Sequence, residues 1–167
     1  MVGASVADHL WGEDLREICR RCLRCCYETE MILLKEDIER LERLGFKGFY
    51  ELRGGFRRLR NVRGHCFFLD PGAGGCLIYS SRPLGCRVYP LIYDEELGVS
   101  IDRECPIAGR LPQPWVEAAL RDLEKLLRSL EREYGYKVDW KLFRSSASRL
   151  LGSSGEVPRG TSRSWSS

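Results

Sequence analysis

The chain has 167 residues, of which 43% are hydrophobic, and this is enough for one globular domain with a substantial core. Its 27 basic and 24 acidic residues leave a net charge of only +3, which argues against nucleic acid as the main partner. No stretch approaches the roughly 18 apolar residues of a membrane span, and the N-terminus lacks the basic and apolar regions of a secretory signal. We therefore expect a cytoplasmic protein without a membrane partner.

The first predicted helix begins at Asp8, whose side chain can cap it. Its apolar residues recur at helical spacing and form one face toward a core: Leu10, Trp11, Leu15 and Ile18. The helix carries Cys19 and Cys22 at its C-terminal end. Cys25 and Cys26 follow, so that four cysteines occupy eight residues in the pattern C-x-x-C-x-x-C-C.

A second helix is predicted over residues 35–44 and ends just before Gly45. Its apolar positions, Ile38, Leu41 and Leu44, again have helical spacing. Between them the charged residues alternate in sign, as is typical of a solvated helix face: Asp37, Glu39, Arg40, Glu42 and Arg43.

From Phe56 the period changes, and glycine and proline separate short β-like runs. These predicted strands are 56–62, 65–69, 76–79, 87–93 and 98–101. Their spacing indicates a small, irregular antiparallel sheet in which Cys66 and Cys76 lie on either side of a tight connection. The flanking helices make the predicted fold class α+β, organised around a cysteine-ligated metal centre.

The longest predicted helix spans residues 115–134, opened by Pro112 and Pro114 and ended by Gly135. Its apolar residues form one continuous stripe, which indicates a core helix. Residues 136–143 are predicted to add a short last element.

At Arg144 the composition changes again. Residues 144–167 contain nine serines, three glycines and four arginines with one acid, which predicts a disordered tail. The sequence thus predicts a cysteine-cluster metal-binding domain over 8–143 and a disordered Ser/Gly/Arg-rich tail over 144–167.

The other four cysteines, Cys66, Cys76, Cys86 and Cys105, bring the total to eight. In a reducing cytosol, dense cysteine indicates metal or redox chemistry rather than a disulfide framework. Eight thiols can serve two four-thiolate centres, or one centre with a structural or redox remainder. Cys76 and Cys86 are candidates for simple packing, because they stand beside apolar residues.

The spacing leaves the metal open between zinc and an iron–sulfur cluster. No second C-x-x-C follows, as zinc ribbons normally provide, which favours the cluster. A bacterial ferredoxin combines C-x2-C-x2-C with a nearby C-P, and here Cys105 precedes Pro106 but is remote in sequence. Adjacent Cys25 and Cys26 are expected to point in different directions, so they should not both bind one mononuclear metal.

Four blocks of the chain together resemble the YkgJ-type cysteine-cluster family, which is described as a zinc- or iron-chelating domain and as iron–sulfur-cluster-containing proteins. The blocks are C-x-x-C-x-x-C-C at 19–26, G-H-C-F-F-L-D at 64–70, C-L-I-Y-S-S-R-P-L-G-C-R-V-Y-P at 76–90, and C-P at 105–106. The resemblance covers about residues 15–110. It implies an iron–sulfur cluster or zinc as cofactor, with these metal ligands: Cys19, Cys22, Cys25, Cys26, Cys66, Cys76, Cys86 and Cys105.

Two arginines, Arg82 and Arg87, belong to the resembling motif and are candidate cofactor-binding residues. They can offset the charge of a thiolate-rich site, because four thiolates around zinc or a cubane cluster leave a net charge of −2. The alternative is that they pair with nearby acids such as Asp70, Asp94 or Glu95. The two histidines, His9 and His65, are not favoured as ligands.

Three functions follow from these features. The first is an iron–sulfur protein with an electron-transfer or redox role and a protein redox partner. The second is a zinc-stabilised module that contacts RNA or protein through the arginines of residues 53–63. The third is an accessory or relative of protein lysine N-methylases, some of which carry this domain. We find no catalytic constellation in the sequence. The glycine-rich GAGG at 72–75 is predicted to be a hairpin turn and not a nucleotide-binding loop.

Overall fold

The structure is a computed structural model that describes residues 10–152, where five helices accompany eight short strands. In chain order the helices are α1 (Glu13–Cys22), α2 (Lys35–Arg43), α3 (Leu84–Val88), α4 (Gln113–Tyr134) and α5 (Trp140–Gly152). The predicted α+β class is confirmed. No helix in this part of the chain is long and apolar enough to cross a membrane.

The strands pair as four antiparallel hairpin-like units, and the described residues contain no sheet of more than two strands. The pairs are β1 (Tyr50–Arg53) with β2 (Phe56–Leu59), β3 (Asn61–Val62) with β4 (His65–Cys66), β5 (Leu69–Asp70) with β6 (Gly75–Cys76), and β7 (Leu91–Asp94) with β8 (Gly98–Ile101). Strand β1 was not predicted. Gly54 and Gly55 turn the chain into β2 with φ of 60° and 81°, the left-handed pair that a two-residue hairpin turn needs.

Two predicted strand runs are partly helical. Residues Tyr79–Ser81 form a 3-10 turn, and α3 occupies the start of the run predicted at 87–93, so that β7 begins only at Leu91. Helix α3 follows Pro83, and the buried Asp37 carboxylate accepts the Leu84 N–H at 3.1 Å. This tertiary contact satisfies an N-terminal amide that an isolated five-residue helix would leave open.

The apolar residues form two cores, and six of the eight cysteines pack against one core or the other. The first core surrounds α4, whose stripe is buried as predicted, and includes Trp11, Leu15, Leu91 and Trp115. The second core is built by α2 and the first three strand pairs around Phe49 and Phe68. Its members Leu33, Ile38, Leu41 and Leu59 are at most 6% exposed. Both cores meet where the hydroxyl of Tyr134 donates to the Leu33 carbonyl at 2.5 Å.

Helix α2 ends one residue before its predicted end at 44, and the expectation that its charges form a solvated face is wrong for two of them. Asp37 and Arg40 are only 2% and 8% exposed, and they are joined by a 2.8 Å ion pair. Arg40 also donates to the carbonyls of Ser81 and Arg82 at 3.2 and 3.0 Å. The charges are buried because the segment before α3 presents main-chain groups that only a paired acid and base can satisfy.

The ends of the described chain also correct two predicted boundaries. Helix α1 starts at Glu13, and the predicted cap Asp8 and residue His9 lie outside the described residues. Helix α5 continues to Gly152, so residues 144–152 are helical although their composition predicted disorder. Its Ser146 is buried and accepts the Val99 N–H at 2.8 Å, because α5 packs on β8. The predicted tail from 153 onward lies outside the described residues.

Candidate metal centre

All eight cysteines line two adjoining cavities at the junction of the two cores. The first cavity has a volume of about 60 Å³, and its cysteines are Cys19, Cys25, Cys26, Cys66, Cys76 and Cys86. The second has a volume of about 30 Å³, and its cysteines are Cys19, Cys22, Cys25, Cys86 and Cys105. The fold therefore collects thiols that are up to 86 positions apart in the sequence.

Hairpins and a short helix deliver the cysteines of the first cavity. Cys66 in β4 pairs with Asn61, and Cys76 in β6 pairs with Leu69. Cys86 lies in the middle of α3, where Asp37 holds the first turn. The two strands are short, and each is fixed by pairing with its partner strand. The three thiols therefore reach the same apolar cavity from three different elements.

The second cavity joins the end of α1 to the segment after β8. Asp102 organises that segment: its carboxylate accepts the hydroxyl of Tyr89 at 2.8 Å and the Glu104 N–H at 2.9 Å. The Cys105 N–H then donates to the Asp102 carbonyl at 3.2 Å. Arg24 donates to the Glu104 carbonyl at 3.3 Å. These contacts bring the C-P dipeptide against the N-terminal cysteine run, which its sequence position does not indicate.

An irregular turn carries the adjacent cysteines Cys25 and Cys26. Leu23 ends α1 with φ of 56°, and Arg24–Cys26 forms a 3-10 turn in which the Cys26 N–H donates to the Leu23 carbonyl at 2.9 Å. Cys25 and Cys26 therefore both line the first cavity, and their side chains are hydrogen-bonded. Cys25 also lines the second cavity, so it stands in the wall between the two.

Burial holds these thiols in their protonated form. It raises the pKa of Cys66 and of Cys105 from 9.0 to about 11, and it raises the pKa of Cys86 well above 9.0. The hydrogen bond to Cys25 is the largest cause of the raised pKa of Cys26, followed by burial. Metal binding requires thiolates, so each ligand must release a proton when a metal enters.

Three arginines line the cavities, Arg20 the first, Arg24 the second and Arg82 both, and of the three Arg82 is the buried one. It is 9% exposed, lines both cavities and lies over the Tyr79 ring at 3.9 Å. Its Nε donates to the Tyr79 carbonyl at 2.9 Å. The guanidinium lowers the pKa of Cys19 and Cys76, although burial outweighs it in both. Its position is therefore suited to offset thiolate charge.

Arg87 does not line either of these two cavities. Burial raises the pKa of the Asp37 carboxyl, and the positive charge of Arg87 is one of the influences that lower it, after Arg40 and the Leu84 N–H. Asp70 and Asp94, which sequence reasoning considered as arginine partners, instead accept main-chain N–H groups of their own turns. Of the two candidate cofactor-binding arginines, the fold brings only Arg82 to the cysteines.

Neither His65 nor most of the arginine segment lies at the cavities. The Nδ1 of His65 is 3.1 Å from the Cys66 carbonyl, and its ring packs edge-on against Tyr27. Arg53 and Arg58 pair with the Glu30 carboxylate at 2.8 and 3.2 Å. Internal contacts of this kind reduce the charge that the segment offers to RNA.

The donor chemistry fits a soft metal, but the donors have not converged. All eight cysteines are free thiols, and thiolates are the preferred ligands of zinc and of iron–sulfur clusters. Within residues 10–152, no group of three or more His, Cys, Asp or Glu side chains is positioned to hold a single ion. Four sulfurs at about 2.3 Å from zinc must lie close together, whereas a cubane cluster holds its thiolates further apart.

Sequence reasoning found every cysteine of the site and missed the residues that position them. Asp37 and Asp102 act here through hydrogen bonds to Leu84 and Tyr89, which lie 47 and 13 positions away, and Tyr79 acts through its contact with Arg82. The only sequence signal for these residues was their position relative to the cysteine blocks. Tyr79 lies within the 76–90 block, and Asp102 stands three residues before C-P.

Comparison with known proteins identifies the family of the segment that carries the cysteines. A family model described as "CxxCxxCC: Putative zinc- or iron-chelating domain" matches residues 18–106, which include all eight cysteines. Neither the curated proteins nor the solved structures contain a match to the chain. The matched segment is more than half of the chain, and its cysteines line the two cavities. The chain therefore belongs to the CxxCxxCC family and carries its metal-chelating domain.

Proposed function

We propose that the protein binds an iron–sulfur cluster through Cys19, Cys22, Cys25 and Cys105 and serves in electron transfer or redox sensing. One observation carries this proposal: Cys105–Pro106 lines the same cavity as the three cysteines of the C-x2-C-x2-C run. Bacterial ferredoxins ligate cubane clusters with that run and a C-P cysteine. The sequence separates the two parts, and folding joins them.

The surroundings of this cavity are suited to a redox centre. Trp11, Pro90 and Ile107 line it with apolar surface, which limits water and keeps the local dielectric low. When bound, a cluster supplies one-electron exchange at the potential that its environment determines. The chain holds the cluster through four thiolates, excludes water from it and offsets its charge with Arg82.

A zinc-stabilised module is the second candidate, and it is favoured by where the thiols lie. The cysteines stand between the two cores, so a single zinc ion there would tie the cores together and contribute to folding. Such a protein would act by binding a partner. The two candidates make different predictions for bound sulfide and colour. In either case we propose a cytoplasmic location and a protein partner.

The test is anaerobic purification of the full chain, followed by assays of iron, zinc and acid-labile sulfide and by a visible absorbance spectrum. The proposal predicts iron and sulfide in equal amounts, with a broad visible absorbance that bleaches on reduction. Zinc without sulfide would overturn it in favour of the module.

A matched pair of variants tests the ligand assignment. Cys22→Ser removes one thiolate at the end of α1 and should abolish the visible absorbance. The control is Arg21→Ser at the neighbouring position, where an 80% exposed side chain pairs only with Glu17 on the surface, so its metal content should not change. If Cys22→Ser retains its full iron content, the N-terminal run does not hold the cluster.

A further inference from the structure

We propose that the chain holds a second, separate centre for a thiophilic metal, formed by Cys26, Cys66, Cys76 and Cys86. The inference rests on the proposed function in one respect, namely that Cys19, Cys22, Cys25 and Cys105 serve the first centre. The second set is then complete with four thiols, which is the full complement of a closed four-thiolate site.

The cavities themselves divide the cysteines. Cys26, Cys66 and Cys76 line only the first cavity, and Cys22 and Cys105 line only the second. Five cysteines thus line one cavity but not the other, and one four-thiolate centre cannot use all five. The three remaining cysteines, Cys19, Cys25 and Cys86, line both cavities and need a further criterion.

The two cores supply that criterion. Cys86 packs with the second core, together with Cys26, Cys66 and Cys76. Cys19 packs with the first core, together with Cys105. Core packing thus assigns four cysteines to the second core and leaves Cys25 to the first set.

Cys25 completes the first set by position as well. It lines the second cavity together with Cys19, Cys22 and Cys105. The neighbouring Cys26 lines only the first cavity. Adjacent cysteines therefore divide between two centres, which resolves why the run ends in C-C.

The second set has the chemistry of a structural or electron-carrying site rather than a catalytic one. Its ligands come from a 3-10 turn, β4, β6 and α3, so a bound metal would cross-link four separate elements. The surrounding side chains are apolar, including Leu59, Phe68 and Ile78, and leave little room for a metal-bound water. A zinc ion and a second cluster share this ligand chemistry, and the experiment separates them.

The experiment compares metal content per chain in full-length protein purified anaerobically. Its variants are Cys22→Ser in the first set, Cys76→Ser in the second set, and the double variant. Cys76 is preferred to Cys66 because it is more exposed, so its replacement is less damaging to the core. Two centres predict that each single variant retains the metal of the other centre and that the double variant retains none.

The outcomes distinguish this inference from the proposed function. Zinc bound at both sets, without sulfide, would refute the proposed cluster and support the second centre. A cluster lost in Cys22→Ser, with metal unchanged in Cys76→Ser, would support the proposed cluster and overturn the second centre. Loss of all metal in both single variants would also overturn it, because the thiols would then form one unit.

A titration of the wild-type protein covers the case in which a variant does not fold. Metal-free protein is titrated anaerobically with Co²⁺ alone, and the thiolate-to-cobalt charge-transfer absorbance is followed. The second centre predicts that the absorbance rises to two equivalents of cobalt per chain. Saturation at one equivalent would refute it without any substitution.

Discussion

Asp37→Ala tests whether the buried charges of α2 hold the metal-binding segment in place. The substitution removes the acceptor of the Leu84 N–H and the partner of Arg40, whose guanidinium is 8% exposed. Breaking a buried ion pair by removing one partner costs about 3–5 kcal/mol, because the remaining charge stays desolvated. The free energy of unfolding should fall by that amount, a large part of the total stability of a domain.

The assay is urea unfolding followed by circular dichroism, with metal content measured on the same samples. At a slope of about 2 kcal/mol per molar urea, a loss of 4 kcal/mol shifts the midpoint by about 2 M. Because Asp37 holds the first turn of α3, which carries Cys86, the variant should also lose metal.

The control is Glu39→Ala on the exposed side of the same helix. Its carboxylate is 49% exposed and meets Lys35 at 3.7 Å, so its loss should cost less than about 0.5 kcal/mol. The reasoning would be refuted if Asp37→Ala cost no more than Glu39→Ala, since the ion pair would then contribute nothing to the position of α3.

Three further predictions concern the thiols, the cation and one glycine. Burial raises the pKa of Cys66 from 9.0 to about 11, so the folded metal-free protein binds this proton more tightly than the unfolded chain. The stabilisation is therefore fully present below pH 9.0 and should be lost as the pH rises through about 11, by about 3 kcal/mol for this thiol. Urea unfolding of the metal-free protein measures this loss, and a urea midpoint that does not change over this pH range would contradict the prediction. Arg82→Gln should lower metal retention against a chelator while Arg82→Lys restores part of it, and equal loss in both would argue against a charge effect. Gly98→Ala should lower the free energy of unfolding by about 1–3 kcal/mol more than Gly74→Ala does, as measured by thermal unfolding. Both glycines have positive φ, but only at Gly98 would the new Cβ meet the Ser146 Cβ, at 2.8 Å. Equal losses in the two variants would refute this packing argument.

Local patterns were sufficient for the helices. The apolar stripe of α4 and its terminal Gly135 predicted a helix that the structure extends by only two residues, because a 22-residue amphipathic segment leaves no other periodicity. The bounds of α2 were likewise predicted to within one residue. Composition misled at residues 144–152, where serine-rich helix α5 gains its stability by packing on β8 through Ser146.

Short strands and charges were harder to interpret, because tertiary contacts determine both. The strand predicted from residue 87 rested on Val88 and the apolar residues after it, yet Asp37 and Arg40 satisfy the main chain around Leu84–Val88 and that segment becomes a helix. The alternating charges of α2 indicated an exposed face, because the sequence does not show that Asp37 and Arg40 contact a segment about 40 positions away.

The sequence by itself predicted metal chelation, because eight thiols in four blocks are typical of a site for a thiophilic metal, and the family model over residues 18–106 supports a metal-chelating domain. It also determined which side chains are candidate ligands. Only the tertiary structure decided how they are grouped. Cys105 lines one cavity with Cys19 and Cys22, Cys25 lines both cavities, and Cys26 lines only the first. The physical reason is that the end of α1 lies between two cores, one packed with Cys19 and Cys105 and the other with Cys26, Cys66, Cys76 and Cys86.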